Sequence, residues 1–544
     1  MKEYHWVLTV VVLALLLTSL TYFPGASACK DIVATTQATG ADYSLLLKVR
    51  DPSRPGLQVL TRVPKGTTYT YHHPWSGKPW EFTVKHTFFG VATQGDTLPN
   101  IVKAGMTLSN AGLAFADADT ASGWVNPTNN AWDDFDWIRY ACQTSDDETD
   151  AVTLLTTDAI DTMHATSVGE NLFLVSPHQA LVIEADAAHY TITNVNDVWV
   201  MSNYPITLWR TELLKTVPIA HAFDTQGDVW VRQGNIIRLG SVCGVKIIAF
   251  NGSALIVKPV PSIVFQHYGQ ENPVTIELGQ RGTVGPYSVV YKTNQGRKAE
   301  VSVQTMYHAW EQELLTHVTP AIGHITTRDM ITWSRLHTDD LDGLRPLCED
   351  AVPYESAMVS KIPVDHADAL SNGWFSANHA CSSIYVPFHI CDDDICTPYQ
   401  TGEAAQLSMD LLKKYGHATL IPSCQSVEAV FFEETNLSEA IAHVLIHTNI
   451  NITSFMTSVD VGMQEQAYLT EQLWLSFPNA SRGLMKDLWS TNYTLSLQHM
   501  HQASVTLSST PGAEVAVSLL KNIVLSIMNT QRTIQAFNAN ESLL

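Results

Sequence analysis

Beyond its first 28 residues the sequence lacks any run of about 18 uninterrupted apolar residues, the length that a membrane-spanning helix needs. The best candidate, Val515 to Met528, is interrupted by Lys521 and is typical of a buried helix. Basic residues are also scarce, because 31 Lys and Arg stand against 53 Asp and Glu, for a net charge of -22. A surface this acidic repels phosphate backbones, so we expect no nucleic-acid partner. Because no long apolar run follows the first 28 residues, we also expect no stable membrane insertion after their removal.

Several catalytic and binding motifs are also missing. The sequence contains no His-Glu-x-x-His zinc motif, phosphate-binding loop, dinucleotide fingerprint or serine elbow, and no internal repeat or long linker. We therefore expect no metal and no organic cofactor. With 544 residues, 45% hydrophobic and 15% charged, the chain has a globular composition and fits one large domain or two medium ones.

The first 28 residues have the composition of a signal peptide. Lys2 supplies a short positive end, Val7 to Leu20 is nearly all apolar, and Ala26-Ser27-Ala28 offers the small residues of a cleavage site. We expect cleavage after Ala28 and secretion. Lipoprotein anchoring at Cys29 is the less favoured alternative, because Ala26 stands where a lipobox usually has Leu.

Sequons and cysteines agree with export. Five of the six Asn-x-Ser/Thr sequons lie beyond residue 430, which predicts an exposed C-terminal region. The six are Asn251, Asn436, Asn451, Asn479, Asn492 and Asn540. Of eight cysteines, seven remain for at most three bridges if Cys29 stays a free thiol. The spacing of Cys391 and Cys396 matches no common zinc pattern and predicts a local disulfide.

The order of strand-like and helical segments predicts an α+β protein with helices covering an antiparallel sheet. Predicted strands are 45–49, 172–175, 180–184, 245–250 and 287–291, with a hairpin joining 171–175 to 180–183, and predicted helices are 150–164, 402–415, 437–448, 462–475 and 513–529. The predicted organisation is a signal peptide over 1–28, a catalytic core over 29–400 and a helix-rich region over 401–544 packed on that core.

Cys29 would be the first residue of the processed chain, and this position carries specific chemistry. Its thiol can act as the nucleophile while its own α-amine, with an ordinary pKa of about 7.7–8.0, acts as the general base. The arrangement exists only after cleavage, which makes the signal peptidase the activating enzyme. The alternative from position alone is an ordinary disulfide cysteine near a mature terminus.

Downstream segments resemble the cysteine N-terminal-nucleophile hydrolases, especially the dipeptidase and secernin branch, with penicillin V acylases and bile salt hydrolases as relatives. The segments that carry the resemblance are Cys29 with Ala38-Thr39, 42–47 and Arg50-Asp51, then 105–114, 201–205, Trp374 and Tyr385-Val386-Pro387. This chain has Asp42-Tyr43-Ser44 where the branch has Asp-Gly-Ser. Its basic residue and acid, Arg50 and Asp51, are adjacent, whereas the family separates them.

The resemblance implies a four-layer αββα core and a secreted amidohydrolase that cleaves dipeptides or small peptides through a Cys29 thioester. In that scheme Arg50 favours the thiolate and orients the substrate, Asp51 hydrogen-bonds the α-amine, and Asn110 and Asn203 hold the oxyanion. Each also has an ordinary structural alternative, as an ion pair or a turn residue. Two other functions stay open: a penicillin-V-acylase-like amidase for non-peptide amides, and a non-catalytic glycosylated surface protein. A homo-oligomer is compatible with either.

Overall fold

The structure is a computed structural model that describes residues 29–50, 55–101, 105–120, 124–203, 206–208, 228–239, 243–260, 272–285, 287–350 and 352–476. The predicted signal peptide, Asp51 and the predicted helix 513–529 lie outside these residues. The chain forms two compact units. The larger comprises Cys29–Tyr204, Pro320–Leu336 and the chain from Leu347 onward, and the smaller comprises Pro205–Thr319 and His337–Pro346.

Twenty-three strands and ten α-helices are found in the described part of the chain. In chain order the strands are β1 (Lys30–Ala34), β2 (Tyr43–Arg50), β3 (Gln58–Val63), β4 (Thr68–His72), β5 (Pro79–Thr83), β6 (Phe88–Thr93), β7 (Met106–Ser109), β8 (Leu113–Thr120), β9 (Gly169–Val175), β10 (Ala180–Ala185), β11 (Tyr190–Asn194), β12 (Val198–Ser202), β13 (Asp228–Val231), β14 (Ile236–Leu239), β15 (Cys243–Phe250), β16 (Ala254–Val260), β17 (Val274–Glu277), β18 (Arg281–Val284), β19 (Tyr287–Gln295), β20 (Lys298–Thr305), β21 (Ser356–Pro363), β22 (Asn372–Ser376) and β23 (Val386–His389). The helices are α1 (Thr36–Thr39), α2 (Asp134–Thr144), α3 (Glu148–Thr153), α4 (Met306–Val318), α5 (Thr327–Trp333), α6 (Ala367–Leu370), α7 (Thr397–Thr401), α8 (Glu403–Tyr415), α9 (His417–His447) and α10 (Thr453–Ser476), with a π-helix at Leu154–Thr162 and 3-10 helices at Thr319–Ala321 and Thr338–Leu341.

Two antiparallel sheets build the larger unit. Sheet I has the strand order β12-β1-β2-β21-β22-β23, and sheet II has the order β11-β10-β9-β8-β7-β6-β3. The sheets contact each other where β8 meets β1, β2 and β21. In addition, β8 of sheet II contacts α2. In sheet I, β2 and β21 contact α5, and β23 contacts α9 and α10. The mixture of helices and antiparallel sheets confirms the predicted α+β class.

Strand burial follows from these contacts. β1 is buried along its whole length and β2 is buried from Ser44 to Arg50. Since side chains alternate between the two faces of a strand, continuous burial means that both faces of sheet I are covered. An aromatic-rich core fills the space between sheet II and the helices that follow it, and its members include Phe88, Trp132, Trp137 and Leu155.

The smaller unit contains two antiparallel four-stranded sheets, with orders β13-β20-β19-β18 and β14-β15-β16-β17. Its core is made of aliphatic and tyrosine side chains from both sheets, among them Val245, Leu255, Val289 and Tyr291, which are fully buried. This unit was not predicted from the sequence, and it interrupts the predicted 29–400 core.

Most of the predicted elements that fall on described residues are present. The five predicted strands lie within β2, β9, β10, β15 and β19, and β9 pairs with β10 as the predicted hairpin. The helix predicted over 150–164 is α3 continued by the π-helix. The helix predicted over 402–415 is α8, whereas the one predicted over 437–448 is only the end of the longer α9. The one predicted over 462–475 lies within α10.

The disulfide predicted between Cys391 and Cys396 is wrong. Both thiols are free, as is every other cysteine whose side chain the structure describes. The pKa of the Cys391 thiol is raised first by burial and then by Asp392 and Asp460, whereas the charge that most affects Cys396 after burial is Glu465. The two thiols therefore have different electrostatic surroundings.

The three sequons on described residues, Asn251, Asn436 and Asn451, are exposed. No helix within the described ranges has the length and apolar character needed to cross a membrane.

We predict that Arg335→Ala strongly destabilises the protein. The Arg335 guanidinium binds both Glu428 oxygens, at 2.8 and 2.5 Å, and both side chains are almost fully buried. Removing one partner of a buried ion pair leaves an uncompensated charge, which costs about 3–5 kcal/mol of unfolding free energy. Chemical denaturation measures the loss. Lys85→Ala, which breaks the exposed pair with Asp146, is the control and should leave the midpoint unchanged. Equal midpoints for the two variants would contradict the prediction.

Candidate active site

Cys29 lies immediately before β1, at the point where three segments of the larger unit meet. It is half-buried, and its thiol is free. Its carbonyl oxygen accepts a hydrogen bond from the Ser202 hydroxyl at 2.7 Å. The Ser202 carbonyl in turn accepts a hydrogen bond from the Asn171 side-chain amide at 2.8 Å. The start of β1 is thus held by β12 of its own sheet, and β12 is held by β9 of sheet II.

Lys48 is the basic residue that acts on the Cys29 thiol. It pairs with Asp31 in the β1–β2 ladder, and its ammonium lies 2.8 Å from Asp117 Oδ1 and 3.8 Å from Asp31 Oδ1. It also donates to the Asp117 carbonyl. Burial opposes the charge on Lys48, but Asp117 and Asp31 outweigh it and hold the pKa of Lys48 well above its ordinary value. The ammonium is therefore charged at neutral pH.

Gly105 makes room for the Asp117 carboxylate. Its φ of +59° is in the region that favours glycine, and a Cβ there would lie 2.0 Å from Asp117 Oδ1. This gives a physical reason for the glycine that opens the 105–114 segment.

The thiol of Cys29 is protonated at neutral pH in this environment. Burial raises its pKa to about 12, and Asp117, Asp31 and Asp119 add to the increase, while Lys48 opposes it. A neutral thiol is a weak nucleophile and needs a base to take its proton during attack. In the full-length chain the nitrogen of Cys29 is a peptide amide, which cannot be that base.

An acidic cluster lies close to the thiol and Lys48. One carboxylate oxygen each from Asp119, Asp134 and Glu170 lies within 4.8 Å of the others. Burial, followed by repulsion from Asp119, raises the pKa values of Asp134 and Glu170 well above the ordinary range. Asp134 and Glu170 are buried, whereas Asp119 is exposed. A cation, either a metal ion or an ammonium group, would relieve the mutual repulsion of these carboxylates.

Arg50, the predicted basic residue, is on the same face of β2 as Lys48, because side chains two positions apart share a face. Its guanidinium donates to Gln58 at 2.5 Å and lies 5.2 Å from the centre of the Phe135 ring. Lys48, rather than Arg50, is the cation whose charge opposes the increase in the Cys29 pKa. Lys48 could have been identified from the sequence, because it is two positions before Arg50 on a predicted strand and therefore on the same face.

The two predicted oxyanion residues lie in different places. Asn203 directly follows Ser202, and its side-chain oxygen accepts from the Ser202 hydroxyl at 3.5 Å. Asn110 lies in the turn between Ser109 and Leu113, which pair across β7 and β8. Its side-chain oxygen lies 3.2 Å from the His86 ring. Asp117, which contacts Lys48, is four residues beyond Leu113 along β8, or about 13 Å at roughly 3.3 Å per residue. The structure therefore keeps Asn203 near Cys29 and does not bring Asn110 to it.

Comparison with known proteins finds only partial structural similarity. No known protein family and no curated protein matches the sequence. A mutant conjugated bile acid hydrolase from Clostridium perfringens is 12% identical, with a TM-score of 0.26 over 37% of this chain and 60% of that one. A second variant of that hydrolase is 12% identical, with a TM-score of 0.25 over 37% of this chain and 61% of that one. Penicillin V acylase from Agrobacterium tumefaciens is 13% identical, with a TM-score of 0.23 over 31% of this chain and 51% of that one.

We predict that Lys48→Gln slows alkylation of Cys29 more than Arg50→Gln does. Lys48 lowers the pKa of the thiol, so its removal raises that pKa and reduces the thiolate fraction. A change of one pKa unit corresponds to about a tenfold lower rate below the pKa. The measurement is the rate of iodoacetamide labelling of the Cys29 peptide against pH, by mass spectrometry. Thermal unfolding of both variants is the control for misfolding. If Arg50→Gln has the larger effect, Arg50 is the activating cation.

Proposed function

We propose that this protein is a secreted cysteine amidohydrolase that cleaves dipeptides through a thioester on Cys29. The observation that carries the proposal is the position of the free Cys29 thiol beside the buried Lys48 ammonium. Lys48 opposes the increase in the pKa of the thiol, and a base that takes the thiol proton during attack would complete the nucleophile. Cleavage after Ala28 supplies that base, because it converts the Cys29 nitrogen into a free α-amine.

Each step of the reaction then uses groups of this chain. The α-amine takes the thiol proton while sulfur forms a bond to the amide carbon, and negative charge develops on the carbonyl oxygen. The C–N bond breaks, and the departing amine receives the proton from the α-ammonium. Water then attacks the thioester while the α-amine again accepts a proton. The C–S bond breaks, the sulfur takes that proton back from the α-ammonium, and the carboxylic acid leaves. Lys48 and the Asn203 amide are the nearby groups suited to stabilising negative charge.

The order of contacts supports a four-layer αββα core for the larger unit. β8 of sheet II contacts three strands of sheet I and also α2, while β2 of sheet I contacts β8 and also α5. Helix, sheet, sheet and helix in this order would place Cys29, Asp31 and Lys48 between the sheets. A nucleophile at the edge of that space is accessible to a small substrate.

The acidic cluster supports a substrate that carries a free α-amine. Asp119 is the exposed member of the cluster and interacts electrostatically with the Cys29 thiol. A protonated α-amine placed against Asp119 would be attracted to that carboxylate, while the peptide carbonyl of a short substrate faces the thiol. A dipeptide meets both requirements, whereas a neutral acyl group has no counterpart for this charge.

We predict that Cys29→Ser abolishes hydrolysis of a dipeptide panel by the secreted protein. The hydroxyl is a weaker nucleophile than the thiol, and we expect kcat to fall by at least about a hundredfold. Cys142→Ser is the matched control, since Cys142 is also a free thiol. N-terminal sequencing should find that both variants, like the wild type, begin at position 29. Unchanged turnover by Cys29→Ser, or a wild-type chain that starts elsewhere, would refute the mechanism.

We also predict that the enzyme prefers free dipeptides to their N-acetylated forms. Acetylation removes the positive charge that the acidic cluster attracts, so kcat/KM should fall by at least about tenfold. Asp119→Asn should reduce this preference while retaining hydrolysis of the acetylated peptide. Faster hydrolysis of neutral acyl amides than of free dipeptides would instead support a penicillin-V-acylase-like amidase.

A further inference from the structure

A second cluster of reactive side chains lies in the larger unit, on segments that flank β21 and β22. Cys348 and Glu355 precede β21, and His379 and Cys381 belong to the connection between β22 and β23. Cys348, Cys381 and Glu355 are fully buried, and His379 is 2% exposed. Four groups that all bind metals well are therefore enclosed together without solvent.

The donor atoms of this cluster form two close groups that share Cys348. Cys348 Sγ, one Glu355 oxygen and one His379 ring nitrogen lie within 4.8 Å of one another. Cys348 Sγ also lies within 4.8 Å of Cys381 Sγ, and the two thiols interact through a hydrogen bond. Cys348 thus connects the imidazole and carboxylate to the second thiol.

This convergence differs from a catalytic relay. In a relay the thiol and the carboxylate bind opposite nitrogens of the imidazole, so the ring separates them. Here the Cys348 sulfur and the Glu355 oxygen are close to each other and to the same ring nitrogen. Three donor atoms that are all close to one another can bind a single metal ion.

Hydrogen bonds outside the cluster hold its ligands in place. The Ala380 carbonyl, between His379 and Cys381, accepts from Arg335 Nε at 2.7 Å. The Glu355 amide donates to the Asn378 side chain at 3.3 Å. The second Glu355 oxygen accepts from the Glu349 amide at 3.1 Å. Such outer hydrogen bonds fix the orientation of metal ligands before the metal binds.

We propose that Cys348, His379 and Glu355 bind a structural zinc ion, with Cys381, whose sulfur lies within 4.8 Å of Cys348 Sγ, as the fourth ligand. Two thiolates, an imidazole and a carboxylate are ligands that zinc accepts in a closed tetrahedral site. Zinc binding releases the two thiol protons and the imidazolium proton, so affinity falls as pH falls. The alternative carboxylate is Asp350, whose Oδ1 accepts from Cys381, but its side chain is 38% exposed and its other oxygen binds His417 at 2.6 Å.

The zinc site is separate from the candidate active site. Lys30 follows Cys29 in β1, so its side chain is on the opposite face of the strand. The Lys30 ammonium lies 3.4 Å from Glu349, the neighbour of Cys348. The cluster therefore lies towards the face of sheet I away from Lys48, and zinc would act there on stability rather than on the reaction.

The test is the metal content of the secreted full-length protein. Elemental analysis after dialysis should find about one zinc per chain, and cobalt substitution should give thiolate-to-cobalt charge-transfer absorption. Cys381→Ser should lose the zinc, whereas Cys142→Ser, which removes an equally buried thiol outside the cluster, should keep it. Metal content is measured without any hydrolysis assay, so this test remains valid even if the proposed function is wrong.

Wild-type protein provides a measurement that does not depend on a variant that folds. Chelation should expose two additional thiols to alkylation, at Cys348 and Cys381, and lower the Tm, and added zinc should restore both. Peptide mapping that finds a Cys348–Cys381 disulfide would overturn the proposal. So would a zinc content that is unchanged in Cys381→Ser, or thiols that react equally with and without chelator.

Discussion

The contact between the Lys48 ammonium and Asp117 is the interaction on which the candidate site depends. Lys48 belongs to β2 of sheet I and Asp117 to β8 of sheet II, so one ion pair joins the two sheets in their buried interface. A buried ion pair adds little net stability, because desolvation offsets the attraction, but an unpaired charge is strongly unfavourable. Alternative packings of β2 on β8 that separate Lys48 from Asp117 are therefore excluded. Cys29, one residue before β1, is positioned by the same register.

How far the sequence predicts the fold depends on whether burial follows a simple period. β2 and β9 were predictable because short apolar runs mark strands that are covered on both faces. The first half of α9 was missed because its buried face contains Ser423, Glu428 and Glu434, which interrupt the apolar period. The smaller unit was missed because its strands have the same pattern as those of the core, and only long-range pairing separates them.

The candidate site was predictable where chemistry is local and not where it is built by pairing. Cys29 stands beside a cleavage pattern, so a few residues are enough to propose it as the nucleophile. The role of Lys48 depends on the β1–β2 register, which places it opposite Asp31. The position of Asn110 depends on the β7–β8 register, which places it in the turn, away from Asp117. Cys348 and Cys381 are far apart in sequence and match no zinc spacing, so their proximity follows only from the loops around β21 and β22.

Activation by cleavage is compatible with the way Cys29 is held. Its carbonyl is bound by Ser202, and the residues after it are paired on both sides in sheet I, and these hydrogen bonds do not use the peptide bond that precedes Cys29. Cutting that bond changes an amide into an amine without rearranging the strand. Lys48 and the carboxylates are in place beforehand, and the raised pKa keeps the thiol protonated until the amine exists. In the proposed mechanism the unprocessed chain is therefore inactive, and a single hydrolysis supplies the missing base.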